Sequence, residues 1–519
     1  MKATQAFRLT SIAFAAALTA ASSAHATSWF GFEGGSQLIN CALGECFRPP
    51  DTMGAVGTTQ FLETANGYIR IYDKTTGAVQ SSVNMATFWA NAGLPGGAGG
   101  DQRVLFDHYT NRWIMSGFGS NGGLLNIAVS DTANALGTWK STQISGAAIG
   151  VPATTLDYPT LGMDDKGVYI GTNNFPNAGG FSGTSLLVIP KASLFGGAPS
   201  TAGMTVLTTP YPAGPDNGFA IQAAVNWQGN PTNTASVMAD SRDTNSQVFY
   251  RLGNVAGPGA ATQTPSSYIA GAEYTTSGPG RQPDGTRLVD TLQPRITGNV
   301  VQVNGRLYSA IAVNDGTDHS AVRWSVNDAL TGAIIETGMI SGGGFDYYEG
   351  SIAVNEFGQA VIGYNRSGYE TADNNGDGLA DGNISFMARV FETDAGGGLD
   401  QVGSDLLLKV STMSNYHCGN ETPVSTTCRQ RWGDYSAVTI DPNDHRTFYA
   451  IGEYASEWAL LIGPDGNPII PDKRAIWNTY IAAISVPVPE PASYALMLAG
   501  LAAVGAVARR RSRGKAGAH

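Results

Sequence analysis

Hydrophobic residues along this chain gather in short runs that recur in one pattern: an apolar strand, an Asp or Asn turn, then a second strand rich in Tyr, Trp, Ile and Val. Val104-Leu105-Phe106-Asp107 leads to Arg112-Trp113-Ile114-Met115, and Leu161-Gly162-Met163-Asp164 leads to Gly167-Val168-Tyr169-Ile170-Gly171. Ile352-Ala353-Val354-Asn355 leads in the same way to Gln359-Ala360-Val361-Ile362-Gly363, and Val438-Thr439-Ile440-Asp441 to Thr447-Phe448-Tyr449-Ala450. Looser copies are Ala55-Val56-Gly57 with Gly67 to Tyr72, and Gln293-Pro294-Arg295-Ile296 with Gly305 to Ala310. A further unit is expected between Ala220 and Arg251, with Ala223 to Trp227 and Gln247 to Tyr250 as its strands. The starts, near positions 55, 104, 161, 223, 294, 352 and 438, are about sixty residues apart.

Short strands joined by hairpin turns at that period predict an all-β fold, a single β-propeller of about seven blades, with six or eight as alternatives. Each blade buries both faces against its neighbours, and closing the ring removes most exposed strand edges. A pair of β-sandwiches is the competing architecture, but it does not require the recurring unit. No 3.6-residue apolar period is sustained outside the two ends of the chain, which argues against an α/β enzyme.

Three stretches carry a resemblance to secreted bacterial propellers related to the sialidase and BNR-repeat group. They are Pro49 to Gly57 with Ile71-Tyr72-Asp73-Lys74, Ala128-Val129-Ser130-Asp131 through Gly137-Thr138-Trp139, and Arg431-Trp432-Gly433-Asp434-Tyr435-Ser436. The Ser130 to Trp139 stretch resembles a degenerate Asp box, a turn that stabilises a blade hairpin. The resemblance implies a propeller and leaves the activity open.

The two ends break the pattern. Residues 1–26 read as a secretory signal peptide, with Lys2 and Arg8 before an apolar run from Leu9 to Ala21 and a small-x-small cleavage site at Ala24-His25-Ala26. The propeller body is expected over 27–485. In residues 486–513, Val488-Pro489-Glu490-Pro491 precedes an apolar stretch from Ala492 to Ala508 and the cluster Arg509-Arg510-Arg511-Ser512-Arg513. A helix of that length just spans a bilayer, and its arginines place 514–519 in the cytoplasm and the body outside. The order of elements resembles the PEP-CTERM sorting signal. That resemblance implies transient residence in the inner membrane, processing by an exosortase near the Pro-Glu-Pro, and delivery to the cell envelope, outer surface or matrix of an exopolysaccharide-producing bacterium.

Charge narrows the partners. Of 30 Lys and Arg, seven lie in the two end segments, and of 41 Asp and Glu only Glu490 does, so the body carries −17. Such a surface repels nucleic acid and anionic lipid. The four cysteines form two close pairs, Cys41 with Cys46 and Cys418 with Cys428, and export predicts two local disulfides, although pairing between the two clusters also satisfies the count.

Candidate chemistry is sparse. No Gly-x-Ser-x-Gly elbow, phosphate loop or His-Glu-x-x-His occurs, and the six histidines are dispersed. A sialidase-like site needs three arginines, a tyrosine nucleophile and a glutamate; Arg103, Arg295, Arg431, Tyr435 and Glu349 are available, but no spacing selects them. The acid pairs Asp346 with Glu349 and Asp434 with Glu453 are no more specific. The sharper signal is Asp373-Asn374-Asn375-Gly376-Asp377-Gly378-Leu379-Ala380-Asp381, which places side-chain oxygens at loop positions 1, 3, 5 and 9, with Gly378 at 6 and the Leu379 carbonyl at 7. That spacing suits a structural calcium ion held by Asp373, Asn375, Asp377, Leu379 and Asp381. Ile384 stands where an EF-hand has its bidentate Glu. The expectation is a non-catalytic binding or structural propeller whose partner is exopolysaccharide or a surface protein, with a glycan-acting hydrolase or lyase as the alternative.

Overall fold

A computed structural model of the chain describes residues 27–210, 218–241, 245–257, 259–264, 267–268, 274–292, 294–417, 430–469 and 473–487. The expected signal peptide, the sorting tail with its apolar stretch, and Cys418 and Cys428 lie outside that set. Residues Trp29–Ile484 form one unit; Met1–Ser28 with Ser485–His519 form the other. Among the described residues no helix is long and apolar enough to cross a membrane.

The body is a β-propeller. Its sheets are antiparallel meanders, and the first runs Met53–Val56, Gln60–Ala65, Tyr68–Asp73, Val79–Asn84. The second runs Arg103–Asp107, Arg112–Phe118, Leu124–Ser130, Trp139–Ser145. Burial tracks position within a meander. All six residues of Gln60–Ala65 and all five of Arg103–Asp107 are buried, so these strands are covered on both faces, whereas Val79–Asn84 at the outer edge is exposed or half-buried throughout. The recurring Asp or Asn closes the hairpin after the innermost strand by accepting amides ahead of it: Asp107 from Tyr109, Asp164 from Lys166 and Gly167, Asn226 from Gln228, Asn355 from Phe357 and Gln359, Asp441 from Asn443. The expected Asp box keeps its structural role. Ser130 Oγ accepts the Trp113 amide and Trp139 Nε1 donates to the Ala135 carbonyl.

Two units differ from the sequence reading. In the fourth, Gln247 belongs to the third strand, Gln247–Gly253, and the second strand is Thr234–Asp240. In the fifth, Gln293 lies outside the described residues and Pro294 to Ile296 is no strand: Ile296 makes a lone bridge to Ile311, and the innermost strand is Val301–Val303. Both units contribute to parallel pairing between innermost strands, Met163 with Val225 and Val225 with Val301. That pairing fuses the meander from Thr154–Met163 and the meander from Val301–Val303 into one nine-stranded sheet through Val225–Asn226.

Successive sheets pack face to face, and the last packs on the first. Met53, Phe61 and Tyr72 of the first sheet share a cluster with Tyr449 and Ile481 of the last and with Tyr435, which precedes its strand Ala437–Ile440. The last sheet is completed from the other end of the chain: its order is Ser28–Ser36, Arg474–Ser485, Thr447–Ala459, Ala437–Ile440. Buried Glu63 ties this closure together. Its carboxylate accepts from the Gly35 amide (3.0 Å), Tyr68 (2.8 Å), Thr479 (2.6 Å) and Tyr72. Gly35 leaves room for the contact, because a Cβ there would meet the Tyr68 hydroxyl at 1.9 Å.

Candidate functional site

Six residues before the hairpin residue of five innermost strands, the backbone turns left-handed. Asp51, Asp101, Tyr158, Ala220 and Glu349 have φ between 51° and 58°, and they precede Gly57, Asp107, Asp164, Asn226 and Asn355. Non-glycine residues adopt this conformation at a cost that the surrounding structure must hold. At three of these points the register also shifts, between Asp157 and Thr160, Phe219 and Gln222, and Tyr348 and Ser351. The strand heads meet there in a buried cluster that includes the sialidase-like candidates.

Arg103, Arg295, Arg431, Tyr435, Glu349, Asp434 and Glu453 are brought together, and Asp51, Asp101, Asp157 and Tyr158 join them. Arg103 is fully buried; its guanidinium lies 3.9 Å from the Tyr435 ring centre and donates to the Pro159, Thr297 and Gly298 carbonyls. Tyr435 donates to Asp101 at 2.6 Å. Arg431 pairs with Asp434, and Arg295 lies 3.9 Å from the same carboxylate and over the Tyr158 ring. The Asp434 amide donates to Asp51. Glu349 and Glu453 both approach Gly433, where a Cβ would stand 3.1 Å and 2.8 Å from their nearest oxygens. Asp346 is elsewhere, held by Arg281, Ser320 and His319.

Burial dominates the proton affinities. It raises Asp51, Asp157 and Glu349, with the Asp434 charge adding to each, and it pushes Asp101 up to about 7, helped by Asp157 and Asp434. Glu453 rises through burial and then through Glu349. Tyr435 is driven well above its ordinary value by burial and by Asp101. A tyrosine nucleophile needs the opposite shift and an open approach, and this one is fully buried with its hydroxyl engaged.

Three further places matter. The Asp373 loop is exposed, and its acids accept the loop's own amides: Asp373 from Gly376, Asp377 and Gly378, Asp377 from Leu379, and Asp381 from Asn374. Among the described residues no group of three His, Cys, Asp or Glu is gathered to hold a metal. His108 and His445, remote in sequence, converge on Trp227, whose ring centre is 4.4 Å from that of His108 and 6.3 Å from that of His445. Burial lowers His108 to about 4, so it stands neutral at pH 7.

The third place is a groove of about 380 Å³. Glu45 and Phe47 supply one wall, from the loop pinned by the Cys41–Cys46 disulfide, whose Cα atoms are 4.3 Å apart. Phe118, Ser120 and the Ala98 to Gly100 run supply the other, and Asn66, Gly67 and Met85 line the rest. Glycine is required here. A Cβ on Gly67 would meet Glu45 at 2.7 Å, and one on Gly99 would meet the Phe118 carbonyl at 1.9 Å. Asn66 links the groove to the buried cluster by donating to Asp51 and accepting from the Asp101 amide. Nothing in the local sequence announces this groove, because its walls are about fifty to seventy-five residues apart. The buried acids were within reach of the sequence: counting six residues back from each repeating Asp or Asn finds Asp101 and Glu349.

No curated protein matches the chain. Among solved structures, extracellular domains 1-2 of Drosophila Semaphorin 1b align over 88% of this chain and 86% of their own, at 8% identity and a TM-score of 0.37. The β-propeller domain of the Trilobed protease from Pyrococcus furiosus aligns over 77% and 89%, at 8% identity and a TM-score of 0.35. A subtype N10 neuraminidase-like protein of a little yellow-shouldered bat isolate aligns over 64% and 96%, at 9% identity and a TM-score of 0.27. Residues 487–512 match the PEP-CTERM protein-sorting motif, so this propeller carries a signal that implies processing by an exosortase and export to the cell envelope.

Proposed function

We propose that the chain is a seven-bladed, non-catalytic propeller that binds a polysaccharide of the outer surface or matrix after sorting. The observation that carries the reading is the state of the sialidase-like set. Its residues converge, as a hydrolase requires, but Arg103 is spent on three carbonyls and Tyr435 on Asp101, while the groove beside Cys41–Cys46 stays open. The seven-blade count is supported by dividing the nine-stranded sheet at Val225–Asn226, which yields two four-stranded meanders beside five other sheets. Calcium at the Asp373 loop and a Cys418–Cys428 bridge belong to the same reading of an extracellular domain.

The test uses residues 27–487 and purified polysaccharide from the producing bacterium. Co-sedimentation without release of reducing ends is the expected outcome; turnover that disappears in Tyr435→Phe overturns it. Such turnover would favour the second reading, a glycan-acting hydrolase, to which the convergence of Arg103, Arg295, Arg431, Tyr435 and Glu349 lends its support.

A further inference from the structure

The groove beside the disulfide has a composition that selects a ligand. Glu45 makes no side-chain hydrogen bond or ion pair with any described residue, and burial raises its proton affinity. No Lys, Arg or His lines the groove. A half-buried carboxylate without a counter-ion is complementary to a cation. Phe47, which is 44% exposed, and Phe118 bring two phenyl rings to the same space, and aromatic faces attract ammonium groups. Around them stand the Ser120 hydroxyl and the bare backbone of Gly99 and Gly100, short polar groups suited to ring hydroxyls. The volume, about 380 Å³, falls in the range of small-molecule sites. The body's net charge of −17 attracts a cationic polymer before any contact forms.

We propose that this groove binds an amino-sugar unit carrying a free ammonium group, with Glu45 as counter-ion and Phe47 and Phe118 against the sugar's apolar face and its cation. The inference rests on the binding reading above and names the ligand class. It also gives the Cys41–Cys46 bridge a role: the disulfide holds Glu45 and Phe47 across from Phe118.

Calorimetry on residues 27–487 tests it with three probes: a β-1,4-linked glucosamine disaccharide, its N-acetylated counterpart, and trilysine. The glucosamine disaccharide should bind, and acetylation or Glu45→Gln should each weaken binding by about tenfold or more, the worth of one partly desolvated cation contact. Asp465→Asn, on an exposed turn, should leave the affinity unchanged, which separates the groove from bulk charge. Equal binding of the acetylated sugar, an unaffected Glu45→Gln variant with wild-type melting temperature, or tighter binding of trilysine overturns the proposal. If polysaccharide still co-sediments in any of those cases, the binding reading stands and only this ligand assignment falls. If nothing co-sediments, both fall.

Discussion

Lys74 and Asp441 are 367 residues apart in sequence and 2.6 Å apart in space. Both side chains are nearly buried, and Lys191 with Asp107 repeats the arrangement at 2.7 Å. In each case a lysine that follows a third strand reaches the hairpin aspartate of the neighbouring sheet. Removing one partner leaves a buried charge uncompensated, so Lys74→Met should cost about 3–5 kcal/mol. Lys74→Met with Asp441→Leu should recover much of that in chemical denaturation. The buried acids give a second residue-scale expectation, with a definite sign. Asp101 has its folded proton affinity raised to about 7 against about 3.9 unfolded. The folded state therefore holds more protons between those values, and stability falls as pH rises from about 4 to about 7. Melting temperature should decline across that window, and Asp101→Asn should flatten the decline. These residues show how far sequence reading reached. The repeating Asp and Asn are visible because an Asx turn needs that residue type. The residues at the strand heads differ in type from unit to unit, Asp, Tyr, Ala or Glu, so only their offset is regular.

Among the elements, the loops separate into those that hold themselves and those held by others. The Asp373 loop holds itself, through amides donated to its own carboxylates. Calcium, if it is bound as we propose, adds to that scaffold and raises the melting temperature with free calcium, by RT ln(1 + [L]/Kd). A wild-type body that melts identically in millimolar calcium and in chelator, and identically to Asp377→Ala, would remove calcium from the reading. The closing strand Ser28–Ser36 is held from outside by Glu63. Glu63→Ala would leave the Gly35 amide and three buried hydroxyls without their acceptor, and should destabilise the body by at least about 3 kcal/mol. Neither the second strand of the fourth unit nor the broken innermost strand of the fifth was legible. Thr234–Asp240 carries Thr, Ser and Asp among its apolar residues, and the innermost strand of the fifth unit, Val301–Val303, is only three residues long, although it forms a hairpin with Arg306–Asn314 and also pairs in parallel with Val225–Asn226.

For the whole molecule, the architecture followed from the period of the hydrophobic units, since a unit buried on both faces has no stable end except a ring. The ring's closure was not readable, because its chemistry joins residues at opposite ends of the chain. Sorting was legible as a motif. We expect mass spectrometry of the envelope-associated protein to find its C-terminus near Pro489; recovery of intact Arg509 to Arg513 would contradict exosortase processing.

The shared last sheet sets an order on secretion. A chain threaded N-terminus first delivers Ser28–Ser36 at once, yet its partner Arg474–Ser485 arrives only at the end. Until then the first strand is an open edge and the first sheet lacks its neighbour from the end of the chain. Closure thus acts as a completeness check: a chain cut short before Arg474 keeps that edge exposed to proteases and to other chains. Only a chain synthesised to its end can both fasten its ring and present the sorting signal that begins two residues after the fastening strand.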